Sequence, residues 1–227
     1  AEEGQIWSAL QEFRYLFKHV LLRDAAYEMQ LRAQLRKLHE LAAATYEQLF
    51  AREGDERGNL YASHIASHYE RAGDMPKMAV WYGRAGKQAQ ANYALDDATA
   101  AYQKALRGNW LDAAAQLPLY DGLGETQRQQ ARYEAARATY QKMLSLAQTA
   151  GLIAGQVRAW IGLAWVWQCQ GEYQASLDSA VQAENLLRQV EPVDFIQLAE
   201  VLYHKGWAYF FLGQAQAALQ GAQEERQ

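Results

Sequence analysis

Cysteine, proline, positive charge and long apolar runs are all scarce in this sequence of 227 residues. A single cysteine, Cys169, excludes an intrachain disulfide and a zinc site built from several thiolates. The 22 Lys and Arg residues against 26 Asp and Glu residues give a net charge of −4, so direct nucleic-acid binding through phosphates is not expected. The longest apolar runs, near 159–167 and 206–212, are far shorter than the ~20 residues that span a bilayer, so no membrane association is expected.

Helix-forming residues dominate what is present. Ala, Leu, Gln and Glu are abundant, prolines number only three, and no set of segments alternates at the period of two that strands require. The composition therefore predicts an all-α fold. Glycines, which commonly end helices, divide the chain into predicted helices near 8–22, 25–52, 59–72, 76–92, 95–107, 112–129, 133–149, 153–169, 173–189, 194–211 and 215–226.

The second half of the chain repeats a pattern of small and aromatic residues. Gly124, Ala164 and Gly206 occupy the same mid-helix position at spacings of 40 and 42 residues. A mid-helix glycine costs about 1 kcal/mol relative to alanine, so the pattern indicates that another helix approaches closely there. It resembles the tetratricopeptide repeat, a pair of antiparallel helices about 34 residues long. The resemblance implies a right-handed α–α superhelix, a TPR-like solenoid, over 58–227.

The pairing of helices between 76 and 112 has two solutions. An earlier copy of the pattern runs through Ile65 and Gly73 and makes helix 76–92 the second of a pair. The positions of Gly86 and Tyr102 instead make the same helix the first of a pair. Both solutions stay open at this point.

The first 57 residues form a separate helical extension. Their run Phe17-Lys-His-Val-Leu-Leu-Arg-Asp-Ala-Ala-Tyr27, with 62–74, is similar to the region after the nucleotide switch of large bacterial STAND-class signalling ATPases. Some of those carry an adenylate cyclase or a DNA-binding domain. The resemblance implies that 1–57 is a linker after an ATPase or winged-helix region, in a cytoplasmic protein. It does not imply catalysis, because the chain lacks a Gly-x-x-x-x-Gly-Lys-Ser/Thr phosphate loop.

Two sets of side chains could carry chemistry, but neither predicts a catalytic residue, a metal site or a cofactor. His64 and His68 are one helical turn apart, but no third ligand is evident, so we expect His68 to pack and His64 to be solvated. Cys169 would need a base such as His204 to act as a nucleophile, and a small apolar filler is the favoured interpretation.

A peptide-binding groove is the main functional prediction. In tetratricopeptide arrays the first helix of each pair lines the concave face, which here points to Arg158, Ile161, Trp165, Gln168 and Cys169, followed by Tyr203, Trp207, Phe210 and Phe211. We call Trp165, Tyr203, Trp207 and Phe211 the aromatic strip. Aromatic side chains are good anchors for a partner, and Arg158 would pair with an acidic group. The alternative is that the strip packs against further repeats.

These observations favour a non-enzymatic interaction or sensor arm. It would bind a protein, a peptide or a small inducer and report to the ATPase domain of the longer protein. The rival interpretation is the inducer-sensing repeat domain of a DNA-binding transcriptional activator. A helical-fold enzyme is disfavoured, because no convergent His, Asp, Glu and Cys set is evident. We also expect self-association through the C-terminal end, where the last helix has no polar cap.

Overall fold

Ten α-helices make up the part of the chain that the computed structural model describes, residues 20–53, 61–189 and 194–214. No strand occurs within these residues, and the predicted all-α fold is confirmed for them. The predicted helix 215–226, most of helix 8–22 and the boundary at 57–58 lie outside them. The helices are α1 (Val20–Glu28), α2 (Arg32–Glu53), α3 (Ala62–Ala72), α4 (Met75–Ala91), α5 (Leu95–Ala105), α6 (Ala113–Gln129), α7 (Tyr133–Thr149), α8 (Ile153–Gln170), α9 (Tyr173–Leu187) and α10 (Phe195–Phe211).

The sequence pattern located α3 to α10 well, but its division of the N-terminal helices was wrong. A single helix was predicted over 25–52, whereas α1 continues to Glu28 and α2 begins at Arg32. The break at 29–31 contains neither glycine nor proline, so it carries none of the usual helix-ending signals.

A turn with positive φ recurs between consecutive helices of the chain. It falls at Gly73, Tyr93, Ala131, Gly151, Gly171 and Gly213, with φ of 88°, 58°, 58°, 68°, 80° and 71°. At each turn the next amide donates to a carbonyl five residues earlier, as in Glu172 to Trp167 at 3.0 Å. These turns join α3 to α4, α4 to α5, α6 to α7, α7 to α8 and α8 to α9, and the sixth follows α10.

The helices form two layers of a solenoid. Each helix from α2 onward packs mainly on its neighbours in the chain. In addition α4 contacts α6, α6 contacts α8, and α8 contacts α10, so these first helices of each pair lie side by side in one layer. Helix α4 is therefore a first helix, paired with α5, although it also packs on α3. This resolves the pairing that the sequence left open.

Tyrosine rings packed on glycines hold successive pairs together. Tyr140 of α7 lies between Gly124 of its own pair and Gly162 of the next, and an added Cβ on these glycines would stand 2.7 Å and 2.3 Å from its ring. Tyr102 packs on Gly86 and Gly122 in the same way. Close approach at Gly124 is thus confirmed, with a ring as the neighbour. At Gly206 no described atom lies within 4 Å, and the predicted helix 215–226 that would pack there lies outside the described residues.

Candidate interaction surface

The aromatic strip brings together α8 and α10, which are neighbours in the layer of first helices. Tyr203, Trp207 and Phe211 lie one turn apart along α10 and are 56%, 41% and 47% exposed. The ring centroids of Tyr203 and Trp207 are 6.0 Å apart, and those of Trp207 and Phe211 are 5.4 Å apart. Trp165 joins the row through His204, at 5.7 Å. The two helices therefore present one contiguous aromatic surface.

The predicted groove residues lie on two different faces of their helices, as an alignment of α8 with α10 shows. A shift of 42 residues maps α8 onto α10, placing Trp165 on Trp207 and Ile161 on Tyr203. Ile161 is 1% exposed, because α9 and α10 cover it, so the prediction that it lines the groove is wrong. Tyr203 is its counterpart on α10, where it is 56% exposed. By the same shift, Phe210 corresponds to Gln168.

Arg158 joins three first helices instead of standing free. Its Nε donates to both carboxylate oxygens of Asp121 on α6, each at 3.0 Å, and its Nη1 donates to Glu200 on α10 at 2.8 Å. Burial raises the pKa of the Asp121 carboxyl, and the charge of Arg158 opposes that shift. The predicted cationic end of the strip is therefore a three-residue ionic cluster with two carboxylates.

A second ion pair supports Trp165. The guanidinium of Arg128 lies over the indole ring, 3.7 Å from its centroid, and donates to both oxygens of Glu125 at 2.8 Å and 2.6 Å. This stacking holds the ring of Trp165 in place, because a cation over an indole face is attracted to it. Neither Arg128 nor Glu125 was singled out from the sequence. The 37-residue spacing that links Asp121 to Arg158 also links Arg128 to Trp165, and it is the signal that would have found them.

His204 is the buried polar link between the two helices. It is buried, and its Nδ1 donates to Oε1 of Gln168 at 2.7 Å. Burial, together with the positive charges of Arg158 and Arg128, lowers the pKa of His204 to about 4, so the imidazole is neutral at pH 7. Gln168, a predicted groove residue, is thus engaged in joining α8 to α10.

A cavity of about 570 Å³ opens beside the strip at the start of α10. Its walls are mostly apolar, with the carboxylate of Glu200 at one side. Ligand pockets are commonly of this size and composition. The lining residues are Trp165, Phe195, Ile196, Ala199, Glu200, Tyr203 and His204.

The expectation for Cys169 is wrong, whereas the expectation for His64 and His68 agrees with the structure. Cys169 is exposed, so its interpretation as an apolar filler is wrong. His68 does pack, with its Nδ1 2.8 Å from Nδ1 of His39 on α2, and His64 is exposed.

Within the described residues no three His, Cys, Asp or Glu side chains group as a metal site, and no helix is long and apolar enough to cross a membrane.

Comparison with solved structures identifies the fold class. The chain is similar to BtubC (BKLC) from P. vanneervenii, with a TM-score of 0.60 and 15% identity over 84% of this chain and 88% of that one. It is also similar to a putative kinesin light chain of Podospora anserina with nearly identical TPR-like repeats, with a TM-score of 0.61 and 16% identity over 87% and 96%.

These similarities show that the chain has a TPR-like solenoid fold, as the repeat pattern predicted. No protein-family model and no curated protein matches the sequence.

Proposed function

We propose that this chain is a non-enzymatic interaction arm that binds a segment of another protein on the surface formed by α8 and α10. The observation that carries this proposal is the row of exposed aromatic rings along α10, Tyr203, Trp207 and Phe211. The row continues through His204 to the half-buried Trp165 of α8, which is the repeat equivalent of Trp207. Contiguous exposed apolar surface commonly marks a binding site. The adjoining cavity gives an anchor residue somewhere to insert.

The biological setting that fits best is an arm of a multidomain signalling ATPase of the STAND class. The resemblance of the N-terminal segment supports it, and binding on the arm would then be passed to the nucleotide switch. A second candidate is the inducer-sensing repeat domain of a transcriptional activator, and the apolar cavity favours it, because such a cavity suits a small apolar molecule as well as a side chain.

A displayed peptide library selected on the purified chain tests the proposal. The selected peptides should bind Trp207→Ala at least about thirtyfold more weakly than the parent chain, as truncation of a central anchor usually does. Trp110→Ala is the matched control, because Trp110 is equally exposed but lies before α6. Equal binding to Trp207→Ala and the parent would place the site elsewhere and contradict the proposal.

A further inference from the structure

We infer that this surface selects a partner segment whose apolar anchor is flanked by lysine or arginine. The inference rests on the proposed function, and it reverses the acidic ligand that the sequence suggested. It follows from the way in which the charges of the surface are paired.

The positive charge of Arg158 is already paired with carboxylates of the protein itself. One guanidinium faces the two carboxylates of Asp121 and Glu200, with three hydrogen bonds of 2.8–3.0 Å. A carboxylate arriving from a partner would meet two others already in place. Like charges that close repel each other, so the cluster disfavours an acidic ligand.

The basic side chains next to this cluster also face carboxylates. Arg128 is matched by Glu125 in a two-bond ion pair. His204 is neutral at pH 7, and its Nδ1 donates to Gln168. Lys205, also on α10, pairs with Glu184 of α9 at 2.7 Å, and Arg188 pairs with the other oxygen of that carboxylate at 2.7 Å. Among the groups that border Trp165 and the cavity, the two arginines against Asp121, Glu125 and Glu200 leave one negative charge in excess.

Glu200 lies where a partner's positive charge can reach it. Its side chain is the most exposed of the three carboxylates, at 43%, and it forms one wall of the apolar cavity. A lysine or arginine beside an anchor residue can lay its alkyl stem along the aromatic wall and bring its charge to Glu200. The guanidinium of Arg128 over the ring of Trp165 shows that this surface already accommodates a cation against an aromatic side chain.

The charge of the surrounding chain points the same way. Residues 151–227 carry four basic and eight acidic side chains. An acidic surface attracts a basic segment over distances of about a Debye length, roughly 8–10 Å at physiological salt, and raises its association rate. The flanking residues of the partner are thus favoured both at a distance and in contact.

Two fluorescein-labelled peptides test the inference by polarisation. Both carry the tightest anchor from the display selection, one with Lys on each side of the anchor and the other with Glu. The Lys peptide should bind about tenfold more tightly at low salt, with a smaller difference at high salt. Glu200→Gln should reduce this preference, and Glu200→Lys should remove or reverse it. Asp178→Asn is the control, because it deletes an exposed carboxylate on α9 and should leave the preference intact.

The outcomes separate the two proposals. Equal or tighter binding of the Glu peptide, or a Lys preference that survives in Glu200→Lys, overturns the inference. If Trp207→Ala still abolishes binding in that case, the interaction surface itself stands. If neither peptide depends on Trp207, the proposed function fails and the inference with it.

Discussion

The ring of Tyr140 lies so close to Gly162 that a Cβ on that glycine would stand 2.3 Å from Cε1 of the tyrosine. A second helix thus contributes the bulk, and the first helix of the next pair contributes the space. The next junction has the reverse arrangement. There the positions equivalent to Tyr140 and Gly162 carry Ala180 and the buried His204. At the first junction the large side chain comes from the second helix of a pair, whereas at the next junction it comes from the first helix of the following pair.

The Tyr140–Gly162 contact predicts opposite effects of glycine-to-alanine changes on stability. Gly162→Ala should lower the free energy of unfolding by about 1–3 kcal/mol, because the ring is buried and an overpacked core must shift. Gly206→Ala should raise it by about 0.5–1 kcal/mol through helix propensity, since no described atom lies within 4 Å. Urea unfolding followed by circular dichroism measures both. A stabilised Gly162→Ala would show that the packing is loose.

The turns predict a second pair of opposite effects. Ala131 holds φ of 58° where the next pair has Gly171, and a residue other than glycine is strained in that region. Ala131→Gly should therefore raise the free energy of unfolding by about 0.5–1 kcal/mol. Ala138→Gly, at an exposed position inside α7, should lower it by about 1 kcal/mol. If both changes destabilise equally, the turn at Ala131 is not strained.

Acid should weaken the α8–α10 junction through His204. Its pKa is about 4 in the folded chain and about 6.5 when unfolded, so the unfolded state binds the proton more readily between these values. Stability is therefore full above pH 6.5 and falls as the pH drops towards 4, by at most about 3 kcal/mol from this group. Unfolding measured from pH 7 to 4 should show a shallower fall in His204→Gln.

The control for this profile is His64→Gln, which removes an exposed histidine on α3. Its pH profile should follow that of the parent chain. A His204→Gln profile that also follows the parent would contradict a buried neutral imidazole at this junction.

Cys169 should react in the folded protein. Because its side chain is exposed at the end of α8, a maleimide should label it at a rate close to that of the urea-unfolded chain. A large protection factor, measured by mass spectrometry over time, would restore the interpretation as an apolar filler. Cys169 corresponds to Phe211 under the 42-residue shift, so a label there also sits beside the proposed surface.

The sequence predicted the helices and their repeat better than the charges of the surface. Helix α7 was predicted at its observed bounds, because alanine-rich helical periodicity and turn signals agree at that point. The break after Glu28 was missed, since no residue there marks it. Tyr93 and Ala131 show why turns were hard to align: their left-handed conformation is imposed by the fold on residues that do not favour it.

The partners of Arg158 were beyond pattern reasoning for a different reason. Asp121 and Glu200 are 37 and 42 residues away in the chain and meet it only after three helices have stacked. Helical periodicity places a residue on a face but does not pair it with residues on other helices. The burial of Ile161 was missed similarly, because its cover comes from α9 and α10 together.

The most direct test of the account is Trp207→Ala measured two ways on one preparation. If Trp207 is a binding anchor, Trp207→Ala should lower the protein's free energy of unfolding by about 1 kcal/mol or less, because the side chain is only partly buried. Calorimetry should then show at least about a thirtyfold loss of affinity for a selected peptide. If the substitution instead unfolds the protein and the folded fraction binds as the parent does, the strip is packing surface and the account is contradicted.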